Sequence, residues 1–109
     1  MKFQLMVDGH VLPAVDIHQL EQAVVNLSDD VSSFIVLAPE SPIEDSIYLQ
    51  AALTDQQYML ETRLVNGEDF THYRYTTLEM DKAVQMFTAY FRDQQRPDLS
   101  QWQNVTDEF

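Results

Sequence analysis

The sequence predicts an α+β domain: a mostly antiparallel six-stranded sheet in the order ββαββββα, with two helices packed on one face. Three observations carry this. Ser46 to Tyr75 alternates apolar and polar residues through three strands and two tight turns. Two other segments, after Asp16 and after Thr76, place apolar residues at helical spacing behind a capping residue. Each helix has one apolar stripe, so both belong on the same sheet face.

Lys2 to Val7 alternates, with Phe3, Leu5 and Val7 on one side and Lys2 and Gln4 on the other, the pattern of a strand. Asp8-Gly9 is a hairpin dipeptide, and His10 to Val15 returns beside the first strand. Pro13 cannot donate to a ladder, which assigns this second strand to a sheet edge. Asp16 is the expected N-cap of the first helix, with Gln19 completing a capping box. Ile17, Leu20, Ala23, Val24 and Leu27 form its apolar stripe. Phe34 to Ala38 is apolar throughout and rich in strand formers, so it reads as a central strand. Pro39 to Asp45 reads as an acidic loop. The three-stranded meander follows. Thr76 with Glu79 is the expected cap of the last helix, whose stripe is Met80, Ala83, Val84, Phe87, Tyr90 and Phe91. Pro97 bars further helix. Residues 1–95 thus form one domain and 96–109 a polar tail, expected to fold back through Trp102 because a large aromatic is costly to leave in water. With the crossover helix docking strand three beside strand one, the expected order is 2-1-3-4-5-6.

Turn chemistry sets the expected register. Asn66-Gly67 as a type I′ centre pairs Glu61 with His72, Arg63 with Phe70 and Met59 with Arg74. Asp55-Gln56 as the earlier centre pairs Gln50 with Glu61, Tyr48 with Arg63 and Ile47 with Leu64. Both turns assign the same face to Tyr48, Gln50, Met59, Glu61, Arg63, Phe70, His72 and Arg74. Gln50, Glu61 and His72 should form one row across it. As a solvated face, its cross-strand pairs would contribute only about 0.2–1 kcal/mol each. As a binding surface, its mixture of aromatic, amide and charged groups suits recognition.

Composition narrows the function. Eighteen acidic and six basic residues give a formal charge of −12. That opposes binding to nucleic-acid phosphates or anionic membranes, which requires a basic face. Such charge serves solubility, and it also suits a basic protein partner. No cysteine is present, so neither disulfides nor thiolate metal sites can form. The stretch MKFQLMVDG lacks a signal-peptide h-region and no apolar run approaches membrane-spanning length, so no secretory leader and a cytoplasmic location of bacterial style are expected. His10, His18 and His72 lack metal-ligand spacing, so no metal and no cofactor is expected. Glu61 and His72 could form an acid–base pair, but no serine or cysteine nucleophile accompanies them. The chain has only two glycines, too few for an oxyanion or phosphate loop. A non-enzymatic protein is expected.

Leu49-Gln50-Ala51, Glu61-Thr62-Arg63, His72-Tyr73-Arg74, the Phe87–Phe91 helix and the late Trp102 resemble a family of small, uncharacterised bacterial α+β proteins. Some similar sequences are suspected immunity proteins of secreted-toxin systems. The resemblance implies a protein partner and no chemistry. The expected function is a protein-interaction module, immunity-like, meeting a partner or a second copy in a homodimer through the open face or the acidic loops. The alternative is a small-ligand-binding domain using Gln50, Glu61, Arg63 and His72.

Overall fold

The computed structural model describes residues 2–12 and 15–109. The strands are β1 (Phe3–Val7), β2 (His10–Val11), β3 (Phe34–Pro39), β4 (Ser46–Thr54), β5 (Gln57–Asn66), β6 (Asp69–Thr77) and β7 (Gln103–Asn104). The helices are α1 (Ile17–Val25) and α2 (Met80–Arg92). The strands form one antiparallel sheet in the order β2-β1-β3-β4-β5-β6-β7. The expected order is therefore right for six strands, and a seventh joins it. β7 comes from the tail, which has no alternating run long enough to announce a strand; it pairs only Tyr73 with Asn104 and Arg74 with Gln103.

Local chemistry accounts for most boundaries. Asp8 and Gly9 both have positive φ, as a type I′ turn requires, and Val7 pairs with His10. β2 is described only to Val11; the expected extension to Val15 crosses Pro13 and Ala14, which lie outside the described residues. The Asp16 carboxylate accepts from the Gln19 amide, and the Gln19 side chain accepts from the Asp16 amide, closing the capping box of α1. At α2 the expected cap is wrong. Thr76 stays in β6 opposite Met59, and Glu79 occupies the cap position with no side-chain bond. Strand pairing outcompetes the cap, and the Thr77 hydroxyl instead accepts from the Glu79 amide.

The register of β5 and β6 also differs from expectation. Asn66 pairs with Asp69, so the turn residues are Gly67 and Glu68. Only Gly67 has positive φ there, the sign pattern of a type II′ turn with glycine first. Every partner moves by two residues, so the face assignment survives while the pairs change. At the earlier turn Asp55 and Gln56 both have positive φ, and Gln50 sits opposite Glu61 as expected. Toward the start of β4 the pairing slips. A bulge between Ser46 and Leu49 puts Ser46, not Ile47, opposite Leu64, and no direct Tyr48–Arg63 pair forms.

The bulge has a physical basis. The Thr62 hydroxyl donates to the Tyr48 carbonyl at 2.7 Å. Its single proton is then used, so Ser46 donates to Thr62 (2.7 Å) and Tyr90 of α2 donates to Ser46 (2.8 Å). The slip turns Ser46 toward the helices, where this hydroxyl chain satisfies three buried polar side chains. Around it, Leu5, Leu37, Leu49 and Thr62 form one row across the sheet, and Ile35, Ala51 and Leu60 the next. Leu20 and Val24 of α1 and Ala83, Phe87 and Tyr90 of α2 are fully buried in the same core. Met80, expected in the α2 stripe, is exposed in the first turn of the helix. Trp102 lies buried against Tyr75, rings 5.5 Å apart and nearly parallel.

Candidate functional site

The sheet face away from the helices carries the row Met6, Val36, Gln50, Glu61, Arg74 and Gln103. The expected row of Gln50, Glu61 and His72 is thus corrected: Arg74 lies opposite Glu61, and His72 lies opposite Arg63. The side chains nevertheless converge. Glu61 accepts from Gln50 Nε2 at 3.1 Å and from Arg74 Nη2 at 3.2 Å, and meets His72 Nε2 at 2.8 Å. Arg63 Nε donates to His72 Nδ1 at 3.2 Å. Arginine can only donate, so Nδ1 accepts, and the ring proton sits on Nε2 facing the carboxylate. Every polar atom of the histidine is engaged.

The face is not the open surface expected. Glu61 and His72 are buried, His72 to 1 % exposure. The reason is the tail. Val105 donates its amide to the His72 carbonyl, and the Thr106 hydroxyl accepts from the His72 amide, so the tail caps the free edge of β6. Beyond it Glu108 and Phe109 fold over the face. Glu108 takes both Arg74 terminal nitrogens, at 3.0 and 3.1 Å, in a fork. The Phe109 ring lies 4.3 Å from the His72 ring, and Arg63 sits between Phe70 (4.1 Å) and Phe109 (4.8 Å). No periodic pattern in the tail announces these contacts; the acid-aromatic pair Glu108-Phe109 is the only sequence signal.

Electrostatics follow from this packing. Burial pulls the Arg74 guanidinium down, but Glu108 and Glu61 outweigh it and hold its pKa above the ordinary value. Burial raises the Tyr48 phenol, against the opposing charge of Arg63. Tyr48 stands beside His72, ring centres 6.3 Å apart. Seven of the expected face residues, Tyr48, Gln50, Glu61, Arg63, Phe70, His72 and Arg74, are therefore brought together. Met59 shares the face but stands apart, between Ala52 and Thr76. A buried carboxylate with amide, imidazole and guanidinium partners can orient two arginines toward an anion.

Elsewhere, a cleft of about 420 Å³ runs between α2 and the tail, lined by Tyr75, Met86, Ala89, Arg96 and Pro97 among others. The acidic side chains, apart from half-buried Glu21 and buried Glu61, are exposed. Glu44-Asp45 and Glu68-Asp69 share one end of the sheet, where the Val65 amide donates to the Asp45 carbonyl. Among the described residues no helix is long and apolar enough to cross a membrane. Neither protein-family models, nor curated proteins, nor solved structures give a match to this chain.

Proposed function

We propose that the protein is a non-enzymatic, cytoplasmic interaction module whose acidic exterior meets a basic protein, in the manner of an immunity protein. One observation carries the reading: a charge of −12 displayed almost wholly on the outside. Such a surface steers a cationic partner at long range and fixes it by charge complementarity. The acids at the β3–β4 and β5–β6 end of the sheet supply a contiguous edge for it. The polar row at Glu61 supports the small-ligand alternative less well, because its groups bond to one another and to Glu108.

The test is a binding titration against the basic proteins of the source cell and of its secreted fraction. A saturable one-to-one complex should form, weaken steeply between 50 and 500 mM salt (roughly two Debye-length regimes), and be lost when Glu44, Asp45, Glu68 and Asp69 are changed to Lys. Binding that never saturates, or that ignores those four substitutions, rejects the reading.

A further inference from the structure

We infer that the groove formed by Arg63, Phe70, His72 and Arg74 is a docking site for a partner segment that presents an acidic residue followed by an aromatic one. The protein's own Glu108-Phe109 occupies this groove as an internal competitor. The inference concerns a different surface from the acidic exterior, so the two stand or fall separately.

The groove is built for such a segment. Arg74 offers a two-nitrogen fork, which matches a carboxylate in geometry as well as charge. Glu61, itself buried, orients that fork from beneath and aligns His72. Arg63 and His72 present flat, cationic or aromatic surfaces to a ring, and Phe70 closes the far side. The spacing between the fork and the ring slot is that of two adjacent residues, because Glu108 and Phe109 fill both. Two of the six basic side chains in a strongly acidic protein are placed here. Arginine clusters of this kind are a recurring means of recognising acidic motifs.

The present occupant is held lightly. Glu108 keeps 52 % of its side chain exposed and Phe109 remains 62 % exposed. Val105 and Trp102, buried upstream, anchor the tail without them. Glu108 and Phe109 can therefore lift away while β7 and the core stay in place, as weakly buried segments do. A partner's acid–aromatic pair would enter as they leave, at an affinity reduced by the fraction of time the groove is filled.

The experiment compares the full chain with the full-length variant E108A/F109A. Two end-blocked peptides are the probes, Val-Thr-Asp-Glu-Phe and the unrelated Ala-Ala-Glu-Phe-Ala, beside a scrambled control, Val-Phe-Asp-Thr-Glu. Binding is followed by NMR at the His72 ring, with Trp102 fluorescence confirming an intact fold. Both Glu-Phe peptides should bind the variant saturably, at least about tenfold more tightly than they bind the full chain. The scramble should be weaker by a similar factor. Arg74→Lys in the variant, which keeps the charge and loses the fork, should reduce binding about fivefold or more; if that protein does not fold, Arg63→Gln serves instead. Absence of His72 shifts at millimolar peptide, equal binding of the scramble, or indifference to the arginine change overturns the inference.

Discussion

Glu61 is the residue on which the polar face turns. The residue is 7 % exposed, and its carboxylate meets Gln50, His72 and Arg74 at once. Removing it leaves the buried His72 Nε2–H and one Arg74 bond without their acceptor, while Glu108 still holds the Arg74 fork. Losing the hydrogen bonds of a buried charged group costs about 1–3 kcal/mol, more than an exposed pair. Glu61→Ala should therefore lower the unfolding free energy by that amount, read as a lower urea midpoint at unchanged slope. A loss under about 0.5 kcal/mol would show that the network behaves as a surface pair. The participants were legible in the sequence, since alternation alone puts them on one face. Their burial was not, because it depends on Glu108 and Phe109 returning from more than thirty residues away.

Tyr90 poses the complementary case on the helix side of the sheet. Burial pushes its phenol up to about 12, while the bond with Ser46 pulls slightly the other way. In the unfolded chain the group titrates near 10. Between those values the folded state holds a proton that the unfolded state has released, so stability is full below pH 10 and falls as pH rises toward 12. Tyr90→Phe should make that fall shallower while costing about 1 kcal/mol at neutral pH through the lost hydroxyl bond. Urea melts at pH 7, 10 and 11.5 decide it; parallel loss in both proteins places the alkaline sensitivity elsewhere.

At the scale of elements, the turns are the instructive features. Asp55 and Gln56 adopt the left-handed conformation without glycine, with φ of 51° and 66°. Each non-glycine residue there carries roughly 1–2 kcal/mol of steric cost. Gln56→Gly relieves it, at an entropic cost of about 0.5–1 kcal/mol in the unfolded chain. The net expectation is a gain of about 0.5 kcal/mol in a urea melt. A loss would mean that the Gln56 side chain contributes something its exposed position does not suggest. The β5–β6 turn shows the limit of dipeptide reasoning. Asn66-Gly67 signals a turn in the right place, yet Gly67 serves equally as the first residue of a II′ turn, which is the form adopted. The two readings differ by two residues of register and agree on every face, so the error shifted partners without moving the site. The Ser46 bulge lies beyond such reasoning, because it answers a hydroxyl on β5 and another on α2.

For the whole molecule, charge dominates. With a net −12 and a pI near 4.2, like charges repel over most of the surface at neutral pH. Among the described residues ion pairs are few, and those at Arg74 are partly shielded from salt. Raising the ionic strength from about 10 to 150 mM shortens the Debye length from about 30 to 8 Å and should raise the melting temperature by a few degrees. A fall over that range would mean that specific pairs outweigh the general repulsion.

What the sequence determined by itself was local: the period of each element, the capping box at Asp16, the side of the sheet each strand residue takes outside the Ser46 bulge, and the excess of acid. These depend on neighbours within a few positions, and period-two alternation survives even a slip of two. What the tertiary structure alone decided was where the tail goes. A strand of two residues and a closing Glu-Phe pair have no periodicity to read, and their place is set by an unpaired β6 edge and a waiting arginine fork that exist only once the sheet has formed.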